Sequence, residues 1–344
     1  LAKKKTARRR SKARKRKPRR TGKRPLFWLI LCLCLSGIIG TLYYWPKIRT
    51  LGKTYTVASG RAIVDTIELQ IALAREGFSP GAIDGVTGSQ TRLAILAYQT
   101  AHGLPLSGSF DAATAESLKI QMPVFTQRRL SQQDFLQIGP KPHSWRARGQ
   151  LDRMRYNSIL EMVAEQAQSD PDFIAQLNRD LNWAQLTEGS EILVPRLHAF
   201  RVHSPAAYIQ IQLSKRTLQV FSAENRLLFH SPVSIARRVD KRPSGELRVK
   251  VRVDQPNYTF NPAILSGTAQ REGITRKFII QPGPNNPVGS VWIGLNLPSY
   301  GIHGTPEPEK VGRTESSGCF RLANWNAQTL LDAVSINMPV YVEP

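Results

Sequence analysis

The stretch Gly301–Ala327, GIHGTPEPEKVGRTESSGCFRLANWNA, holds His303 and, sixteen positions later, Cys319. Cysteine attacks as the thiolate, and a thiol with a pKa near 8.5 is only a few per cent ionised at neutral pH. An imidazole can take that proton and return it to a leaving amine, so Cys with His is the smallest pair able to perform acyl transfer. The transition state also needs donors for its oxyanion. In Ser317-Gly318-Cys319 the glycine lets backbone N–H groups come close to the reacting carbonyl. The fifteen intervening residues leave open whether the two side chains meet. The other histidines (His102, His143, His198, His203 and His230) lack metal-ligand spacing. No zinc motif, phosphate loop or dinucleotide fingerprint occurs, so neither a metal nor an organic cofactor is expected.

Cysteine usage points the same way. Cys32 and Cys34 lie inside an apolar run near the N-terminus, which leaves Cys319 without a disulfide partner. In an exported, oxidising compartment an unpaired thiol is a liability unless it does chemistry.

The elements around the pair read as strands. From Tyr208, alternation at Ile209, Ile211 and Leu213 is followed by Leu218 and Val220, a return through Leu227-Leu228-Phe229, and a further run at Leu247, Val249, Val251 and Val253. KFIIQ and SVWIGL are shorter strands between Pro- and Gly-rich turns, and NAQTLLDAV reads as the one late helix, with Asn326 as its cap. Residues 205–344 are thus expected to form a β-rich domain.

The order His-Gly … Ser-x-Gly-Cys-x-Arg resembles the active-site signature of the L,D-transpeptidase (YkuD-type) family. Arg242-Pro243-Ser244-Gly245 at a turn, PNYTFNP, PGPNNPVGSVWIGL, YGIHGT and CFRLANW extend the match over roughly residues 205–344. The resemblance implies Cys319 as nucleophile and His303 as base and acid, with the Gly304 carbonyl orienting the imidazole. It further implies the Gly318 and Cys319 amides at the oxyanion and Arg321 on a carboxylate of the donor stem peptide. Ser317 stands where many members carry a second histidine.

Upstream, residues 55–122 read as three helices. Ile63, Ile67, Ile71 and Ala74 form one helical stripe; Leu93, Leu96, Ala97 and Thr100 form another; Asp111 caps a third helix. The series Gln70-x-x-Leu73-x-x-x-Gly77-Phe78, Ile83-Asp84-Gly85, Gly88, Thr91, Gln99, Gly103-Leu104, Gly108, Thr114 and Leu118 resembles the three-helix peptidoglycan-binding domain, implying attachment to the cell wall. Residues 123–150 read as a linker. Residues 151–197 resemble a LysM-like module, a βααβ binder of N-acetylated glycan, without its usual opening strand; a plain helical spacer is the alternative.

The formal net charge is +23, and residues 1–24 carry fifteen Lys or Arg and no acid. Residues 26–45, LFWLILCLCLSGIIGTLYYW, hold no charge. As a helix they span about 30 Å, the thickness of a bilayer's hydrocarbon core. Trp28 lies near one end and Tyr43, Tyr44 and Trp45 at the other, suited to the two interfaces. The charge asymmetry predicts a single-pass inner-membrane protein with a cytoplasmic N-terminus and an extracytoplasmic catalytic domain. The basic tail is then a topology signal that attracts anionic lipid headgroups rather than a specific nucleic-acid site.

The expectation is a multidomain α+β chain: basic tail, transmembrane helix, three-helix wall-binding domain, LysM-like module and β-rich catalytic domain. Its expected partner is peptidoglycan, both stem peptides and glycan. Its expected activity is 3→3 cross-linking through a cysteine thioester. An L,D-carboxypeptidase, a protein-to-wall attaching enzyme or a non-catalytic wall-binding scaffold are the alternatives.

Overall fold

Asp65 accepts the Glu68 amide at 2.8 Å and starts α1 (Thr66–Arg75). This satisfies one of the N–H groups that a first helical turn leaves unpaired. α2 (Ser89–Ala101) and α3 (Ala112–Ser117) follow, α3 capped by Asp111 as expected. The computed structural model describes residues 60–316 and 318–344. The basic tail, the 26–45 segment with Cys32 and Cys34, and Ser317 lie outside the described residues. Among the described residues no helix is long and apolar enough to cross a membrane.

Two buried glutamines organise the loops of the three-helix domain. Gln70 Nε2 donates to Asp84 Oδ1, Val86 O and Thr91 Oγ1, while its Oε1 accepts the Asp84 and Gly85 amides. Gln99 Nε2 donates to Ser107 Oγ, Ser109 O and Thr114 Oγ1, and its Oε1 accepts the Gly108 amide. Much of the motif is therefore spent on closing the fold's own turns.

Residues 123–150 are not a linker. They supply β1 (Phe125–Arg129), α4 (Gln132–Leu136) and α5 (Trp145–Arg148). β1 is a strand that the sequence did not reveal. It runs antiparallel to β2 (Glu191–Pro195), from Phe125↔Pro195 to Arg129↔Glu191. FTQRR has no buried position and no apolar alternation, and its partner lies more than sixty residues away, so periodicity could not show it. α6 (Ile159–Gln166), capped by Ser158, and α7 (Pro171–Leu177), capped by Asp170, lie between the two strands. Their apolar faces share one core with α1 and α2, including Ile71, Leu73, Ile95, Met162 and Ile174. Ile83 bridges to Ser169, joining the two N-terminal parts through backbone bonds.

The C-terminal region forms an eight-stranded sheet from β3 (Tyr208–Gln212), β4 (Thr217–Phe221), β5 (Leu227–Pro232), β6 (Gly245–Asp254), β9 (Val291–Leu295), β10 (Gly301–His303), β11 (Phe320–Arg321) and β12 (Pro339–Glu343). The strand order is β11-β10-β9-β6-β12-β3-β4-β5, and only the β10–β11 and β12–β3 pairs are parallel. Strand β5 would be an open edge, a liability for association. Here the three-helix domain covers it: the His230 amide donates to Gly77 O at 3.0 Å and the Ser79 amide to His230 O at 2.9 Å.

Between β6 and β9 the chain folds out into β7 (Tyr258–Phe260), α8 (Ser266–Glu272) and β8 (Phe278–Ile280), with its own small core of Phe260, Ala269 and Ile274. Trp145 of α5 packs on this cluster, its ring 5.1 Å from that of Phe260. The late helix α9 spans Asn324–Ala333 and so begins before Asn326. Asn326 is not a cap; its Nδ2 donates to Ser79 Oγ at 3.0 Å and fastens α9 to the three-helix domain.

Candidate active site

β10 and β11 run parallel in the register Ile302↔Phe320 and His303↔Arg321. Strand side chains alternate, so Ile302, Phe320 and Leu322 point into the core, where each is at most 1% exposed. His303 and Arg321 share the opposite face, and Cys319 lies in the bend one step before β11, against the Gly301 backbone of β10 and near the Arg321 charge. Ideal strand geometry, about 4.8 Å between strands and about 6.6 Å of rise, would put the Cα atoms of Cys319 and His303 roughly 8 Å apart.

His303 is buried and stacks on Trp292 of β9 at 5.7 Å between ring centroids. Its Nδ1 lies 2.6 Å from the Gly304 carbonyl. A carbonyl only accepts, so Nδ1 carries the hydrogen and Nε2 is left as the basic nitrogen. Burial pushes the imidazole down to about 4; the Gly304 and Val288 carbonyls oppose that shift and the Arg321 charge adds to it. Burial also raises the Cys319 thiol, against a smaller pull from a Gly301 backbone contact and from Arg321. The resting pair is therefore thiol and neutral imidazole. The thiol points to the Ser299 carbonyl, with Sγ 3.4 Å from the oxygen.

The loop before the nucleophile is held by Ser316. Its Oγ donates to Cys319 O at 2.6 Å and accepts the Gly318 amide at 3.3 Å, while its backbone pairs with Ile235 and Arg237. The Gly318 N–H is thereby engaged, and Cys319 N–H is the freer of the two amides assigned to the oxyanion. Arg321 is half-buried with its Nε buried and unpartnered, and its charge interacts with Glu307 and Cys319. Ser317 lies outside the described residues, and His303, Cys319, Gly304, Gly318 and Arg321 all converge on the β10–β11 corner.

Three contributors were not singled out from the sequence. Tyr258 of β7 lies close enough to Cys319 for their charges to interact. Trp292 supplies the surface under the imidazole. Asn324 sits inside CFRLANW, five residues past the nucleophile. Its Oδ1 accepts the Ser290 amide at 3.2 Å and the Thr305 amide at 3.0 Å, tying together the loops on either side of His303. Gly289 and Gly304 must be glycine for this, because a Cβ at either would collide with Asn324 Oδ1. Among the described residues no cluster of His, Cys, Asp or Glu could hold a metal ion.

Residues 206–342 match the family described as the L,D-transpeptidase catalytic domain, YkuD, and residues 64–118 match a peptidoglycan-binding domain family. The Bacillus licheniformis protein YkuD, named as an L,D-transpeptidase, is 26% identical over 193 residues, covering 56% of this chain and 98% of its own length. YkuD of Bacillus subtilis is 25% identical over 172 residues, 50% of this chain and 85% of that protein. Among solved structures, L,D-transpeptidase 3 from Mycobacterium tuberculosis aligns at 14% identity with a TM-score of 0.32, covering 46% of this chain and 77% of that one. Through residues 206–342 the chain carries a YkuD-type L,D-transpeptidase catalytic domain. It is an enzyme of that class, with peptidoglycan as its partner.

Proposed function

We propose that the chain is a membrane-anchored transpeptidase that forms 3→3 cross-links through a thioester on Cys319. The observation that carries this reading is the parallel pairing of β10 with β11: it sets His303, its Nδ1 against the Gly304 carbonyl, beside Arg321 with its buried, unpartnered Nε, and Cys319 directly precedes β11. Cys319 Sγ gives its proton to His303 Nε2 as it attacks the carbonyl of the third residue of a tetrapeptide stem. The Cys319 amide steadies the oxyanion. Collapse breaks the peptide C–N bond, and the imidazolium proton goes to the departing D-alanine amine. An acceptor amine then attacks the thioester and gives its extra proton to His303, which returns it to sulfur. Arg321 holds a carboxylate of the donor stem by charge-assisted hydrogen bonds.

The three-helix domain, and the β1–α6–α7–β2 module as a LysM-like glycan binder, hold the enzyme on the polymer and raise the local substrate concentration. The uncharged 26–45 segment anchors it in the inner membrane, with the basic tail on the cytoplasmic side against anionic headgroups. Incubation with a disaccharide-tetrapeptide and mass analysis tests the reaction. A cross-linked dimer with release of D-alanine is expected. Tripeptide alone would replace transpeptidation by hydrolysis, and an unchanged substrate would remove both.

A further inference from the structure

Asn324 has a second set of partners. Its Oδ1 faces the Ser290 and Thr305 amides, which can only donate, so its Nδ2 must face the other way. There it donates to Glu165 Oε2 at 3.0 Å and Oε1 at 3.1 Å, with Pro284 O at 3.3 Å. Glu165 belongs to α6, in the module upstream of the catalytic sheet, more than 150 residues away in sequence. A continuous run of polar contacts thus leads from α6 to the imidazole. It passes from Glu165 to Asn324, then to the Thr305 amide, and from that segment through the Gly304 carbonyl to His303 Nδ1.

We infer that Glu165 is a positioning residue for the transpeptidase reaction, fixing Asn324 and through it the loops that orient His303. This inference rests on the cysteine–histidine mechanism proposed above. It makes the 151–197 module a working part of the catalytic unit as well as a glycan binder.

The surroundings of Glu165 favour this role over a purely structural one. No Lys or Arg forms an ion pair with it among the described residues. Tyr156 OH donates to Oε1 at 3.0 Å. Glu161 on the same helix and Glu309 from the catalytic region face it with like charge. Arg153 and His198 line the same cavity of about 350 Å³. Glu161 is already engaged by the Asn157 amide, Asn157 Nδ2 and Asn285 Nδ2. Burial first, then the two glutamates, raise the Glu165 carboxyl to about 7, against hydrogen bonds from Asn324 and Tyr156.

A carboxylate raised in this way costs the fold stability as pH climbs from its unfolded value towards 7. Ionised Glu165 is thus a poor device for stability. It is a good one for holding an amide N–H, because a charged acceptor binds more strongly than a neutral one.

The test uses the full chain with Glu165→Ala and Glu165→Gln. It measures kcat and KM on the disaccharide-tetrapeptide from pH 5.5 to 8.5, thermal melting, and acylation of Cys319 by a carbapenem. Glu165→Ala is expected to lower kcat about tenfold with KM within twofold of wild type. Wild type is expected to show a step in kcat near pH 7 that Glu165→Gln lacks, with Glu165→Gln remaining near the wild-type acid plateau.

Wild-type kcat and an unshifted profile in Glu165→Ala, even with a lowered melting temperature, would overturn the inference by leaving only a structural role. If Glu165→Ala fails to fold, the Glu165→Gln profile decides: a retained step overturns it. A wild-type enzyme that is not acylated at Cys319 overturns the proposed mechanism itself, which the carbapenem arm shows separately.

Discussion

Replacing Asn324 with alanine isolates the linchpin of the site. The truncation removes the acceptor for the Ser290 and Thr305 amides, at 3.2 and 3.0 Å. An unsatisfied buried donor costs about 1–3 kcal/mol. Water entering from the cavity beside Glu165 offsets part of that loss, so about 2–4 kcal/mol in total is expected. For a chain of this size that corresponds to a melting temperature lower by about 3–6 °C. The catalytic effect is larger in proportion. Freed from Asn324, the segment carrying the Gly304 carbonyl shifts, and a displacement of about 1 Å at a catalytic group costs on the order of a hundredfold in rate.

Stopped-flow acylation of Cys319 by a carbapenem, with intact-mass confirmation and a melt in parallel, reads both effects. Asn324→Asp is the discriminating partner. It keeps an oxygen for the two amides but faces Glu165 with a second carboxylate, so its activity should recover as pH falls and the pair shares a proton. Asn324→Ala acylating within threefold of wild type would refute the reasoning.

Three further outcomes follow from the same geometry. Because burial holds the Cys319 thiol up and the His303 imidazole down, iodoacetamide alkylation should climb through pH 8.5 without a plateau; a plateau with its midpoint below pH 7 would show a resting ion pair instead. His230 is buried with an unpartnered Nε2 and is pushed down to about 3, so the unfolded chain takes up its proton first as pH falls below 6.5. Stability should drop by about 3 kcal/mol from this group by pH 4.5, and urea titrations of His230→Gln should show a shallower acid limb. Arg321→Ala should lower kcat/KM for the tetrapeptide donor about 10- to 100-fold, the worth of a charge-assisted contact, with little change in melting temperature; an unchanged kcat/KM would remove Arg321 from donor recognition.

Legibility in the sequence tracked how local each feature is. The alternation at Ile209–Leu213 and Leu247–Val253 and the stripe around Ile71 appear as β3, β6 and α1, because a half-buried strand or helix writes its burial into its own period. His303 and Cys319 stood out by residue type, and the short parallel pairing of β10 with β11 sets His303 beside Arg321, two residues past Cys319. β1 escaped notice because an exposed edge strand carries no such period.

Asn326 looked like a cap by residue type, yet tertiary contact with Ser79 takes its side chain, and α9 starts after Ala323. Asn324 and Glu165 were invisible for a different reason. A polar residue whose value lies in partners 19, 34 and 159 positions away leaves no local pattern. The glycines at 289 and 304 were the one trace of Asn324, and only the backbone positions explain why they must be glycine.

The central claim is an acyl group carried on Cys319 and formed with help from His303. Its most direct measurement is intact-protein mass after brief mixing with disaccharide-tetrapeptide lacking an acceptor, followed by peptide mapping. The expected result is a disaccharide-tripeptide adduct on the peptide containing Cys319, with D-alanine released in equal amount, strongly slowed in His303→Ala and absent in Cys319→Ala. An adduct on another residue, or D-alanine release that survives in Cys319→Ala, would contradict it.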